Sequence, residues 1–425
     1  MGANKSRPYG PEQISQDLWQ VGSPDAPMDE KLACFERLRG HFCRRLTPAE
    51  QRAAVAAVDA ARYEPWPAPP PGASALSVER LADRVRGLVY GSALGDATGL
   101  ATEFLSRADA AAFYGADFAF CPAPTKTKPD THRMMWLAGD WTDDTDQLVL
   151  ILQSLLNARG VADERDFAQR LLAWRETGFS DLGDESAAGL GVHTKAVLQD
   201  PEFATRPTDV ARAHWLAKQG EAAANGAVMR TAITGAPRFF DRDAVLATTA
   251  CICRVTHPDP RCVASCAAAA VCVSEMLRGE GADARSLVDT AVEAAVVVLH
   301  DEAAAVANSV WADGAATAAE AELRACAAAS SLRELALDEP RAIGYTFKCL
   351  GAGLWALRCD EGFASAMRAI TAEGGDADTN GALAGALLGC RLGFSQLPQE
   401  WLAQLPHRDW LEAHIQKLLA VMRLQ

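Results

Sequence analysis

From Leu81 onward, apolar residues return at the spacing of one face of an α-helix, and the alternation expected of strands is scarce. Leu81, Val85, Leu88 and Val89 open the pattern at i, i+4, i+7 and i+8. It recurs in Leu148/Ile151/Leu152/Leu155, Val263 to Met276, Leu287 to Leu299 and Ala382 to Leu388. Alanine is abundant and runs of Val or Ile are short, which favours helix over sheet. Such a chain must bury one stripe of each helix against other helices, so the sequence predicts an all-α fold.

Five prolines crowd into Glu64 to Gly72, a composition that cannot continue a helix and marks a linker. Residues 1–75 therefore read as a helical N-terminal extension ending in this linker, and 76–425 as one large helical domain. Within the extension, Thr47, Pro48 and Glu50 have the spacing of an N-cap, a first-turn proline and a capping box, predicting a helix that runs towards Tyr63. Ser77 is the expected cap of the first helix beyond the linker.

The 425 residues carry 41 Lys+Arg against 55 Asp+Glu, a formal charge of −14, with no basic run longer than Arg44-Arg45. A large nucleic-acid-binding surface, which needs clustered cations, is excluded. At 49% apolar and 23% charged the composition is that of a globular protein. The best membrane-span candidate, Cys262 to Ser274, is stopped by Glu275, so no transmembrane segment is expected. Met1 to Ser6 lacks the apolar stretch of a secretory signal, which predicts a cytoplasmic, reducing setting and thiols for the 12 cysteines. Their spacing agrees: no Cys-x-x-Cys occurs, and Cys262/Cys266 lie among alanines on an expected helix. The same N-terminus fits Met-Gly-x-x-x-Ser, a pattern for myristoylation of Gly2 that would give a weak membrane anchor.

Two acidic segments each lead into an apolar helix. Gly139 to Asp146 contains Thr142, Asp143 and Asp144; Gly374 to Gly381 contains Asp376, Asp378 and Thr379. Acids at a helix start suit the dipole and cap free N–H groups, but capping needs only one or two of them. The second segment resembles the first half of an EF-hand loop, yet the required bidentate Glu at position twelve is replaced by Leu387 inside a helix. Gly381, Gly385 and Gly389 instead form a smooth face for close packing. Facing each other, the two helix starts would supply four carboxylates and two threonine hydroxyls, hard ligands for one or two Mg²⁺, Mn²⁺ or Ca²⁺ ions. Small residues also cluster in Gly91 to Gly99 with Glu103 beyond, and in Gly189 to Thr194 and Asn225 to Arg230. Val255 to Pro258 sets His257 before a turn.

In order, Gly95-Asp96-Ala97-x-Gly99-x-x-x-Glu103, Trp141-Thr142-Asp143-Asp144-Thr145, Gly189-x-Gly191-x-x-Thr194, Asn225-Gly226-x-x-Met229-Arg230, Thr256-His257-Pro258 and Gly374-Gly375-Asp376-x-Asp378-Thr379-Asn380 resemble the ADP-ribosylglycohydrolase family. The resemblance runs from residue 80 to about 395. It implies an all-α orthogonal bundle with a central site for two divalent cations, usually Mg²⁺, that bind the distal ribose of an ADP-ribosyl group. The metal ligands it implies are Thr142, Asp143, Asp144, Asp376, Asp378 and Thr379. Glu103, Asp144 and Asp376 are the implied catalytic acids and bases; Asp96, Gly191, Asn225, Gly226, Ala227 and His257 match the substrate groove. The implied reaction cuts the C1″ glycosidic bond between ribose and a protein side chain or related acceptor. Because the motifs hold few basic residues, the pyrophosphate is expected to rest mainly on backbone N–H groups. Two other readings compete: a catalytically silent ADP-ribose binder, and a di-metal phosphohydrolase, against which stands the lack of a histidine-rich ligand set, since the eight histidines do not cluster near either acidic motif. Residues 106–137 do not align with the family pattern.

Overall fold

The computed structural model describes residues 9–279, 283–306, 310–311 and 314–425; Gly2 and its candidate acylation motif lie outside the described residues. Among the described residues there are twenty α-helices and no strand, with one isolated bridge between Ala224 and Tyr345. The expected helices form. Ser77 caps Val78–Gly99, and Thr47 and Glu50 make a complete capping box on Pro48–Ala60, which stops short of Tyr63. All twelve cysteines are free, and seven of the twelve are buried.

At the centre lies Pro260–Arg278, with Cys262, Val263, Cys266, Val271 and Val273 fully buried. It packs against Arg242–Arg254, Ala284–Val306 and Thr346–Leu357. By length and composition this helix is apolar enough to cross a membrane, contrary to the expectation from Glu275, and 94% of its most apolar window is buried inside the fold. Glu275 does not interrupt it because its carboxylate is buried and accepts a hydrogen bond from Arg242 at 2.5 Å.

Val78–Gly99 and Ala377–Leu392 approach each other very closely. Gly87, Gly91 and Gly95 face Gly389, Gly385 and Gly381, so the helices run antiparallel. A Cβ added to Gly91 would lie 2.1 Å from the carbonyl oxygen of Gly385, and one on Gly385 would lie 2.0 Å from that of Gly91. Only glycine allows this contact. The seam brings the C-terminal half of the first helix, with Asp96, against the N-terminus of the second, with Asp378.

The Pro-rich segment is laid onto this body: Trp66 is buried, and its backbone N–H donates to Val421 O at 2.9 Å. The third N-terminal helix contributes Ala54 to the main core. The first two, Pro11–Gly22 and Met28–Phe42, form a hairpin with a small core of their own, made of Val21, Cys34, Phe35 and Leu38 together with Met134.

Candidate active site

Thr142 is the N-cap of Asp143–Asn157 and Asp376 that of Ala377–Leu392, so both acidic segments sit at helix mouths. The fold turns these mouths towards each other. Gly374 and Gly375, both with positive φ, make the approach: a Cβ on Gly375 would meet Leu337 O at 2.1 Å. Phe104 N donates to Gly375 O at 2.7 Å and Gly375 N to Leu105 O at 2.8 Å, which holds Glu103 beside the second acidic segment.

Carboxylate oxygens of Asp96, Asp144 and Asp378 lie within 4.8 Å of one another, and so do those of Glu103, Asp376 and Asp378. Burial, and then the charges of neighbouring acids, push Asp143, Asp144 and Asp378 well above the usual carboxylate range. Asp376 is raised by burial and by Glu103, against a hydrogen bond from Asn225 Nδ2 at 2.9 Å. Arg230 is a buried cation close by, itself lowered to about 10 by burial. It reaches Asp143 indirectly, through Gln147, whose Nε2 donates to Asp143 Oδ2 at 2.7 Å.

The donor set fits a hard divalent cation. Every candidate ligand atom is oxygen, and Asp144 Oδ1 is buried without a hydrogen-bond partner. Thr142 Oγ1 faces three carboxylate oxygens, of Asp96 at 2.9 Å, Asp144 at 3.1 Å and Asp378 at 3.4 Å, with a single proton to give. That surplus of buried acceptors is what a cation would balance.

Above the acids opens a cavity of about 1100 Å³. Glu103, Asp143, Asp144, Asp376, Asp378, Thr379, Gly191, Asn225, Gly226 and His257 all line it. Two expected substrate contacts do not. Ala227 is fully buried behind the wall. Asp96 is also fully buried, and each of its oxygens already accepts two hydrogen bonds: Oδ1 from Thr142 N and Oγ1, Oδ2 from Thr145 N and Oγ1, at 2.6–3.0 Å. Its carboxyl, raised to about 7 by burial, anchors the acidic helix mouth.

The basic residues missing from the motifs arrive from elsewhere. Arg175, Lys195 and Lys218 line the cavity on helix or turn positions with no local signature. His132, His193 and His257 line it as well, so the histidines that are scattered in sequence converge in space, yet none joins either oxygen cluster. His257 Nε2 is buried without a partner beside Gly226, while Nδ1 lies 2.7 Å from Thr256 Oγ1. Burial, followed by the charges of His193, Arg230 and Lys218, holds His257 well below its usual value. His132 Nε2 is hydrogen-bonded to Glu103 Oε2. Nothing in the sequence singled it out, because it sits in the segment that aligns with no pattern.

A family model described as ADP-ribosylglycohydrolase matches residues 77–425. The chain belongs to the ADP-ribosylglycohydrolase family. It is 24% identical to the ADP-ribosylarginine hydrolase Tri1 of Serratia proteamaculans, over 77% of this chain and 76% of that one. It is 25% identical to the ADP-ribosyl-[dinitrogen reductase] glycohydrolase of Rhodospirillum rubrum, over 76% and 90%. Among solved structures, one described as an ADP-ribosylglycohydrolase-related protein complex superposes with a TM-score of 0.54 at 27% identity, covering 81% of this chain and 99% of that one. At the general level, membership of the ADP-ribosylglycohydrolase family carries hydrolysis of ADP-ribosyl linkages.

Proposed function

We propose that this chain is a Mg²⁺-dependent ADP-ribosyl-acceptor hydrolase that removes ADP-ribose from arginine side chains of modified proteins. The observation that carries the reading is the pair of acidic helix mouths buried at the floor of one cavity with more carboxylate than the protein itself neutralises. Thr142, Asp143 and Asp144 on one side and Asp376, Asp378 and Thr379 on the other would hold two divalent cations. Bound there, the cations would orient the distal ribose through its hydroxyls and acidify a water.

The remaining work falls to the chain's own groups. Lys195, Lys218 and Arg175 bring positive charge to the cavity wall for the pyrophosphate, and His257 Nε2 adds a free polar atom beside Gly226. Asn225, tied to Asp376, fixes the wall between the phosphates and the acids. Glu103, clamped by His132, is placed to accept the proton of the attacking water as the water oxygen bonds to C1″ and the C1″–acceptor bond breaks. The exposed Phe104 and Val192 flank the mouth, where the modified protein would sit. Arginine as acceptor is supported by the names of two relatives, from Serratia proteamaculans and Pseudomonas putida, and by the acidity of the cavity floor, which suits a guanidine leaving group.

The test is release of ADP-ribose from arginine-, serine- and threonine-linked substrates with Mg²⁺ and with EDTA. Release from the arginine substrate alone, abolished by EDTA, is expected. Equal release in EDTA overturns the metal dependence, and preference for a hydroxyl-linked substrate overturns the acceptor.

A further inference from the structure

The hairpin of Pro11–Gly22 and Met28–Phe42 lies outside the residues matched by the family model, yet its core is completed from the catalytic body. Among the described residues, Met134 is the one member of that core that comes from outside the hairpin. Cys43, at the hairpin's end, donates Sγ–H to Met134 O at 3.4 Å. The hairpin is internally braced, since Asp17 is buried and accepts two hydrogen bonds from Arg37 at 2.8 Å and one from Tyr9 at 2.7 Å.

Met134 belongs to the tight turn Arg133–Met135, and His132, which precedes that turn, lines the active-site cavity. Arg133, almost fully buried, donates Nε to Ala101 O at 3.0 Å and Nη2 to Glu103 O. Its own N–H is held by Asp130 Oδ1 at 2.8 Å. His132 bonds Glu103 Oε2, and its ring packs against Phe104 and Trp136 at 4.9 Å each. One turn therefore grips both the backbone and the carboxylate of Glu103, and the hairpin grips the turn. A 3₁₀ turn this short cannot move Met134 without moving His132.

We propose that the N-terminal hairpin is a positioning element of the active site, acting through Met134 and His132 on Glu103. The proposal rests on the hydrolase reading above, in which Glu103 handles the proton.

The test uses the full chain and rates per functional site, with the site count taken from the stoichiometry of ADP-ribose binding by calorimetry. Leu38→Asp, which puts a charge in the hairpin core, is expected to lower kcat at least 10-fold with KM within about twofold. Met134→Ala cuts the same link from the other side without changing a hairpin residue and is expected to act in the same direction, so the idea stays testable if Leu38→Asp fails to fold. In a His132→Ala background either change should cost less than a further twofold, whereas His132→Gln, which keeps a donor, should recover part of the rate. Trp19→Ser, on the hairpin's exposed face, should leave kcat unchanged. Wild-type kcat in both Leu38→Asp and Met134→Ala, or losses that multiply fully with His132→Ala, overturns the proposal. If the wild-type chain itself releases no ADP-ribose, the hydrolase reading fails instead.

Discussion

Replacing Gly385 by alanine tests whether the glycine seam sets the geometry of the acidic floor. The new Cβ would lie 2.0 Å from Gly91 O, a backbone atom that cannot rotate away. Carbon and carbonyl oxygen normally meet at about 3.3 Å, so the two helices must part by roughly 1 Å. Overpacking of this kind costs about 1–3 kcal/mol, partly offset by about 1 kcal/mol of helix propensity gained over glycine. We expect a net loss of roughly 0–2 kcal/mol in urea unfolding. The effect on rate should be larger, because a ~1 Å misplacement near the chemistry can cost about 100-fold, and this seam fixes Asp378 relative to the mouth anchored by Asp96. Gly91→Ala opposes the same point. Once one alanine has parted the helices the second has less to push against, so the double variant should be at least ~0.5 kcal/mol more stable than the sum of the singles implies. Wild-type stability and activity in Gly385→Ala, or strict additivity in the double variant, would refute the reasoning.

Two further outcomes follow from the charges. Burial raises Asp143, Asp144 and Asp378 well above the usual range and Asp96 to about 7, so the folded, metal-free protein holds protons that the unfolded chain releases above about pH 4. Their contribution is complete below the unfolded value and is lost as pH rises through the folded values; the melting temperature in EDTA should therefore rise from pH 8 to pH 6, and saturating Mg²⁺ should flatten or reverse that trend. Identical pH profiles with and without Mg²⁺ would show that no cation replaces those protons. Lys218→Ala, removing a cation from the cavity wall, should raise KM about 10-fold or more with kcat nearly unchanged, as expected for a charge-assisted contact to phosphate; an unchanged KM would remove Lys218 from the binding site.

The helices and the two acidic mouths were legible because their signals are local. A cap such as Thr47 or Ser77, a 3.6-residue period, or a run such as Asp143-Asp144 declares itself within one or two turns of chain. The glycine face of Ala377–Leu392 was equally readable, though of its partner face Gly91 and Gly95 were visible only within the small-residue run Gly91 to Gly99, and Gly87 not at all. Three things had no local signal. Asp96 sits in a motif that reads as a ligand site, and only the fold shows its oxygens saturated by Thr142 and Thr145. Lys195, Lys218 and Arg175 look like any solvated helix charge until the cavity closes beside them. His132 owes its place to a contact between residues 29 apart, beside a turn whose Met134 packs into the N-terminal hairpin.

The central claim is that the acidic floor is a cation site on which hydrolysis depends. It is tested most directly by titrating Mg²⁺ calorimetrically into chelator-stripped full-length protein, wild type and Asp144→Asn with Asp378→Asn, and assaying ADP-ribose release from the same samples. Two bound cations per wild-type chain, loss of binding in the double variant with the helical circular dichroism intact, and loss of release in parallel are the results expected. Full release by the stripped wild type, or by the double variant, would contradict the account.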